Sequence, residues 1–278
     1  MFNSPDHFRF MPIRKLNPGL VTLVGAGPGD PELLTLKAVK AINAATVLLV
    51  DDLVSDEVLL HANSHARIVH VGKRGGCAST PQSFIEKLMV SEAQRGEQVV
   101  RLKGGDPFIF GRAGEEIETL QAAGIRVQVV NGITSGLAAM GSINVSLTHR
   151  EHAHGVVFVT GHAKPGDTGT DWRALAKTAA QAKLTLVIYM GVSGAAHIQS
   201  ELLQGLAHNT PVAIIQHASL KNERHVACTL DQLHETLTKE RLGSPSVIVI
   251  GQVLQSYLKQ LAHEAQTVAM EALKQDSA

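Results

Sequence analysis

The chain has 278 residues, 44% apolar and 18% charged, enough to bury the core of one large domain or two modest ones. Its 25 basic residues balance 25 acidic ones, which argues against a protein that coats nucleic acid or an anionic membrane and leaves room for a local basic pocket. Two distant cysteines, Cys77 and Cys228, form no C-x-x-C pair; they are too few for a disulfide scaffold and suit a reducing cytoplasm.

Residues 1–18 read as an irregular arm without the apolar core of a signal peptide. No apolar run approaches the length that spans a bilayer. "LVTLVGAG" reads as a buried strand ending in a turn, and "DPELLTLKAVKAINAA" as a helix with Pro31 in its first turn. "TVLLVDD" and "ARIVHVGK" are short strands. "TPQSFIEKLMVSEAQRGE" is an amphipathic helix with Thr80 as its expected cap. "QVVRLKGGDP" is a strand running into a loop, "AGEEIETLQAAG" a helix, and "IRVQVVNG" a strand. This alternation is the pattern of an α/β fold with parallel strands. Residues 134–154 are richer in Gly, Ser, Thr and Asn and read as a linker. The alternation then restarts with "GVVFVTGH", a helix near 171–182, "LTLVIYMG", a helix near 194–208, "PVAIIQHAS", "SPSVIVIGQVL" and a terminal helix. The expectation is two α/β domains, 19–133 and 155–278, with the ligand site in the cleft between them.

Two glycine loops stand out. Gly25, Gly27 and Gly29 follow the first strand, but a dinucleotide loop reads G-x-G-x-x-G, and here the spacing is G-x-G-x-G. Pro28 removes a backbone donor, and Asp30 puts a negative charge where a phosphate would sit. Asp51 and Asp52 end the second strand where a ribose-binding acid stands in dehydrogenases, so an NAD-dependent oxidoreductase remains an alternative. The second loop, "RLKGGDPFIFGRAGEE", pairs Gly104 and Gly105 with Asp106, whose carboxylate can receive donors from a ligand or simply close a turn. Arg112 and Glu115 are spaced to pair on one helix face. "HREHAH" brings His149, His152 and His154 together, with His162 following, but neither cysteine nor a helical H-x-x-x-H pattern supports a metal, and none is expected.

The ordered set "VGAGPGDPELLTLKA", "VDDLVSDE", "VGKRG", "RLKGGDPFIFGRAGEE", "VNGITS", "SLTHRE", "VTGH" and "YMG" closely resembles the tetrapyrrole methylases over about residues 20–255. The resemblance implies a fold of two α/β domains with S-adenosylmethionine folded between them. It implies a stand-alone form without an oxidase and chelatase domain in front, and a cytoplasmic homodimer. The implied reaction is methylation of uroporphyrinogen III at carbons 2 and 7 to precorrin-2, on the way to siroheme, cobalamin or haem d1. A catalytically silent porphyrin carrier is a further alternative. By resemblance, Pro28, Gly104, Gly105, Asp106, Ile109, Thr134, Ser135, Met190 and Ala218 contact the cofactor. Asp51 corresponds to the family's proton acceptor and Lys73 to its proton donor. The substrate's eight carboxylates call for cations, and Arg112 and Arg150 are expected to meet them, with Glu115 orienting Arg112 or binding a pyrrole N–H and His162 facing the cleft.

Overall fold

The computed structural model describes residues 19–72, 80–163, 166, 168–261 and 263. Five short apolar runs, β1 (Leu20–Gly25), β2 (Val47–Val50), β3 (Arg67–His70), β4 (Val99–Lys103) and β5 (Arg126–Val130), pair in the order β3-β2-β4-β1-β5. Every pairing in this sheet is parallel. A parallel sheet must be covered on both faces. Here α1 (Leu36–Ala44) brings Ala38 and Ile42 onto Val24, Leu48 and Leu102. On the other face α3 (Gln82–Gln94) and α4 (Ala113–Ala122) bring Ile85, Met89 and Leu120 onto Leu23, Leu49 and Val99. The short α2 (Asp56–Leu59) follows β2.

The second sheet holds β6 (Gly155–Thr160), β7 (Leu184–Tyr189), β8 (Pro211–Gln216), β9 (Arg224–Thr229) and β10 (Ser246–Ile250), ordered β6-β7-β10-β8-β9. Only β6 and β7 run parallel; β10 lies antiparallel to both neighbours, and β8–β9 is an antiparallel pair. The expectation of a parallel alternation therefore fails in this domain. The strand it lacks is β9, "RHVACT", whose exposed Arg224 and His225 at an edge give no apolar run to read. Helices α6 (Trp172–Ala182), α7 (Ala195–Leu202) and α8 (Leu233–Lys239) cover one face.

The other face is covered by α5 (Ser135–Ser142), which lies inside the stretch that reads as linker. Ala139, Met140, Ile143 and Leu147 are buried there with Val187, Ala213, Ile215 and Val249. Small residues, which look like loop chemistry, are what this helix needs. A Cβ on Gly136 would lie 2.5 Å from the Tyr189 hydroxyl. Two helix starts also differ from expectation. Pro31–Leu33 is a separate 3-10 turn, and α1 begins only after Thr35, whose hydroxyl accepts from Ala38 N at 3.1 Å. The cap position of α3 is Pro81 rather than Thr80, with no side-chain hydrogen bond.

Candidate functional site

The loops at the carboxyl ends of β1, β2, β4 and β5 meet at one edge of the first sheet, where open α/β sheets place ligands. Their glycines are there to let backbones touch. Gly27 N donates to Gly105 O (3.2 Å), Gly105 N donates to Gly27 O (2.6 Å), and Ala26 N donates to Lys103 O (2.8 Å). A Cβ on Gly25 would lie 2.5 Å from Gly132 N, and one on Gly132 would lie 2.3 Å from Gly105 O. The N–H groups of Ala26 and Gly27 are thus spent on the second glycine loop, and no helix opens where a pyrophosphate would rest. Asp30 caps the 3-10 turn through Glu32 N at 2.8 Å.

The second domain closes over this floor: Asp30 N donates to Ser219 Oγ (3.2 Å) and Lys221 pairs with Glu57 (2.7 Å). Beside it, the Tyr189 hydroxyl holds the start of α5 through Thr134 Oγ1 (2.7 Å) and Gly136 N (2.8 Å). Phe110, Arg112, Met190, His217 and Ser219 all hold left-handed backbone, with φ between 54° and 68°. Such strain collects at ligand sites, where the surrounding structure over-determines it.

The residues expected at the cofactor fall into two groups. Gly105, Thr134 and Ser135 come together: Gly105 adopts φ +69°, and a Cβ there would face Thr134 Cα at 3.7 Å and Ser135 N at 3.8 Å, whereas Gly104 faces Leu53, whose Cβ would lie 2.8 Å from an added Cβ. This is a cradle of neutral backbone that a side chain would fill, and it fits a nucleoside-like ligand without phosphates such as S-adenosylmethionine. Ala218 lies in the second domain's core cluster, Ile109 packs against it, and Met190, which follows the clustered Tyr189, is exposed. Pro28 lies in the first glycine loop, half-buried. Asp106 behaves differently from a free ligand acceptor. Its carboxylate already receives Phe108 N (2.8 Å), Asn131 Nδ2 (3.1 Å) and Gly132 N (3.0 Å), so it locks the loop first.

Asp51 and Asp52 line a cavity of 610 Å³ with Ser55, Asp56 and His70. They also line a neighbouring one of 250 Å³ that includes Arg101, Lys103, Phe110 and Arg112. Lys73, together with Arg74 and Cys77, lies outside the described residues. Arg112 makes a bidentate pair with Glu115 at 2.9 and 2.5 Å, both side chains about half exposed (53% and 54%), so the helix-face pairing is real and still open to a ligand. Arg150 is exposed in the turn clasped by mutual His149–Ala153 hydrogen bonds and has no carboxylate partner among the described residues. His162 is exposed just after β6. His149, Glu151 and His152 gather to within 4.8 Å, all exposed; His154 and His162 do not join them.

Sequence reasoning missed the charges beneath Asp51. Arg101 (2% exposed), Lys103 (3%) and Glu116 (0%) are buried between β4, α3 and α4. Glu116 accepts from Lys103 Nζ through both oxygens at 3.0 Å, from Arg101 Nε at 3.3 Å and from Gln82 Nε2 at 3.2 Å. Burial, and then the neighbouring Arg101, holds the Lys103 ammonium below its ordinary range. The signal was present: in "VVRLK" two cations alternate with apolar residues on one face of a buried strand.

Fold and site together define a two-domain α/β enzyme scaffold with a small-molecule cleft at the carboxyl edge of its parallel sheet. Residues 20–234 match the family model for Tetrapyrrole (Corrin/Porphyrin) Methylases. The chain is 51% identical over 243 residues to a uroporphyrinogen-III C-methyltransferase of Pseudomonas aeruginosa, covering 87% of this chain and 97% of that one. It is 48% identical to siroheme synthase 1 of Aeromonas hydrophila, covering 85% of this chain but only half (50%) of that protein. The crystal structure of uroporphyrin-III C-methyl transferase from Thermus thermophilus complexed with S-adenyl homocysteine superposes with a TM-score of 0.73 at 40% identity, covering 86% of this chain and all of that one. The chain belongs to the tetrapyrrole methylases.

Proposed function

We propose that this chain is an S-adenosylmethionine-dependent C-methyltransferase that methylates uroporphyrinogen III at carbons 2 and 7 and yields precorrin-2, a precursor for siroheme, cobalamin or haem d1. What carries the reading is the likeness to the P. aeruginosa enzyme over nearly all of that enzyme's length. The interlocked glycine floor supports it, because that floor is spent on backbone contacts and offers no pyrophosphate cradle for NAD. We further propose that the enzyme works as a cytoplasmic homodimer; no described helix is long and apolar enough to cross a membrane.

The cofactor, when bound, supplies a sulfonium methyl that is already electrophilic, so the chain's task is alignment, proton removal and charge matching. Gly104, Gly105, Asp106, Ile109, Thr134, Ser135, Met190, Ala218 and Pro28 are the residues proposed to hold it. Fixing two reactants in line is worth up to about 7–11 kcal/mol of barrier. Asp51, half-buried in the cleft wall, is the proposed proton acceptor, and Lys73 the proposed donor. Arg112 and Arg150 are proposed to grip substrate carboxylates, Glu115 to orient Arg112, and His162 to face the macrocycle.

Incubation with uroporphyrinogen III and methyl-labelled S-adenosylmethionine tests the reading. Two labels per macrocycle are expected. Binding of the macrocycle without label transfer would make the chain a carrier, and thermal protection by NAD but not by S-adenosylhomocysteine would make it an oxidoreductase.

A further inference from the structure

The buried cluster on β4 has a feature that packing alone does not require. Along β4, Val99, Arg101 and Lys103 face the layer under α3 and α4, where the neighbours are Leu23, Leu49, Ile85, Met89 and Leu120. An apolar triad of similar volume would serve that layer as well or better, since removing paired charges from water costs several kcal/mol per ion by general estimates. The cluster sits instead at the end of the sheet, directly under the cleft.

Each nitrogen of the Arg101 guanidinium has a partner. Nε faces Glu116 Oε1 at 3.3 Å. Nη1 donates to Leu102 O at 3.0 Å and reaches Leu49 O at 3.4 Å. Nη2 forms an ion pair with Asp51 Oδ2 at 3.4 Å. Glu116 is in turn immobilised by Lys103 and Gln82. Leu49 and Asp51 are the last strand residue but one and the first residue beyond β2, and Leu49 stands opposite Arg101 in the strand register. One side chain therefore spans the end of β2 and grips the carboxylate that leaves it. Charge agrees with geometry: Arg101 and Lys103 against Glu116 leave one positive charge in the interior, and Asp51 is the carboxylate that balances it.

We propose that Arg101, braced from behind by Glu116, is a positioning residue for methyl transfer, holding the Asp51 carboxylate at the cleft wall in the orientation that receives the substrate's proton. The inference rests on the reading of Asp51 as proton acceptor. Asp51 Oδ1 accepts the N–H of Asp52 at 3.1 Å while Oδ2 faces Arg101. The Asp52 N–H holds Oδ1 by a hydrogen bond and the Arg101 guanidinium attracts Oδ2 as an ion pair, so the carboxylate is oriented while each oxygen keeps a lone pair for the cleft. A flexible acid at the same place would have to find that orientation at every turnover, twice per macrocycle.

The test is a double-mutant cycle on turnover. Arg101→Lys keeps the buried charge, so Glu116 stays compensated, but a single ammonium cannot span Glu116, Leu102 O and Asp51 together. The expected result is a folded protein with a lowered melting temperature, since some buried acceptors lose their donor, S-adenosylhomocysteine affinity and KM within about twofold of the parent, and kcat in the folded fraction lowered about ten- to a hundredfold, the scale of a small misplacement at a reacting centre. In an Asp51→Asn background, whose residual turnover is followed by label transfer, Arg101→Lys should cost nothing more, because its effect passes through Asp51. Equal losses in both backgrounds, or a loss in KM alone, would overturn the positioning role while leaving Asp51 as acceptor. Unchanged kcat for Asp51→Asn alone would instead remove the reading of Asp51 and this inference with it.

Discussion

Gly27 and Gly105 exchange hydrogen bonds in both directions, N to O at 3.2 and 2.6 Å, and so join the two glycine loops into one sheet-like floor. Gly132 completes it by resting its Cα against Gly25, and an added Cβ at Gly132 would lie 2.3 Å from Gly105 O. Gly132→Ala should therefore force backbone apart, cost about 1–3 kcal/mol of stability, and weaken S-adenosylhomocysteine binding by calorimetry. Gly114→Ala, at an ordinary helical φ in α4 with nothing within 4 Å of the new methyl, is the control. It should stabilise by about 0.5–1 kcal/mol and leave affinity alone. Equal behaviour of the two variants in denaturant melts would show that the floor is not as tight as drawn.

Asp106 is predicted to matter through the loop it locks. Its three protein donors, Phe108 N, Asn131 Nδ2 and Gly132 N, would be left without an acceptor in Asp106→Ala. A buried orphan costs about 1–3 kcal/mol, and these part-buried donors, which water reaches in part, should cost less each; both the melting temperature and the cofactor affinity should still fall. Asp106→Asn keeps one acceptor oxygen and should lose less of each. A drop in S-adenosylhomocysteine affinity with an unmoved melting temperature would give Asp106 a direct ligand contact in place of the locking role.

Much of this was legible in the sequence, and the exceptions have physical causes. The first domain's strands announce themselves as apolar runs because a parallel sheet is buried on both faces. Asp51 and Gly104–Asp106 stand at strand ends, where the alternation places ligands, and Arg112 stands at the start of α4. Strand β9 was hidden because it lies at an edge and opens on the exposed Arg224 and His225. Helix α5 was hidden because Gly136 and its small neighbours serve close packing against Tyr189 rather than a turn. Arg101 and Lys103 left a signal as cations within a buried strand, but the pairing with Glu116 was hidden, because only the fold brings a strand cation onto a helix carboxylate 15 residues on.

Tyr189 ties β7 to the start of α5 and gives a pH prediction. Its hydroxyl meets Thr134 Oγ1 and Gly136 N, and burial, only partly offset by those hydrogen bonds, pushes the phenol above its ordinary value. The unfolded phenol ionises first, so above about pH 10 the unfolded state binds fewer protons than the native one. The stability Tyr189 contributes is thus complete below about pH 10 and is lost as pH rises through the higher native value. Tyr189→Phe should cost about 1–3 kcal/mol near neutrality by orphaning Thr134 and Gly136, and the gap to the parent should shrink in urea melts at alkaline pH. A gap that stays constant from about pH 8 to about pH 11 would contradict the buried hydroxyl.

The cation pocket gives the last prediction. Arg112 and Glu115 pair at 2.9 and 2.5 Å with both side chains about half exposed, a surface pair of a kind generally worth about 0–1 kcal/mol. Arg150 is exposed and has no carboxylate partner among the described residues. Neither arginine is therefore needed to hold the fold, and Arg112→Ala and Arg150→Ala should melt close to the parent. If each grips a substrate carboxylate, each variant should lose one charge-assisted contact, about 1.5–3 kcal/mol or roughly ten- to a hundredfold in uroporphyrinogen affinity. S-adenosylhomocysteine binding should be nearly unchanged, because the glycine floor that would hold it uses neither side chain. Lysine at either position should recover only part of the loss, since it supplies charge without the planar fork. Glu115→Gln separates orientation from charge. It frees Arg112 to swing, so it should weaken substrate binding less than Arg112→Ala and should have no effect in the Arg112→Ala background. The two arginine effects should add if they meet separate carboxylates. A fall in melting temperature with unchanged substrate affinity in the folded fraction would make both residues structural and leave the macrocycle's carboxylates to other cations.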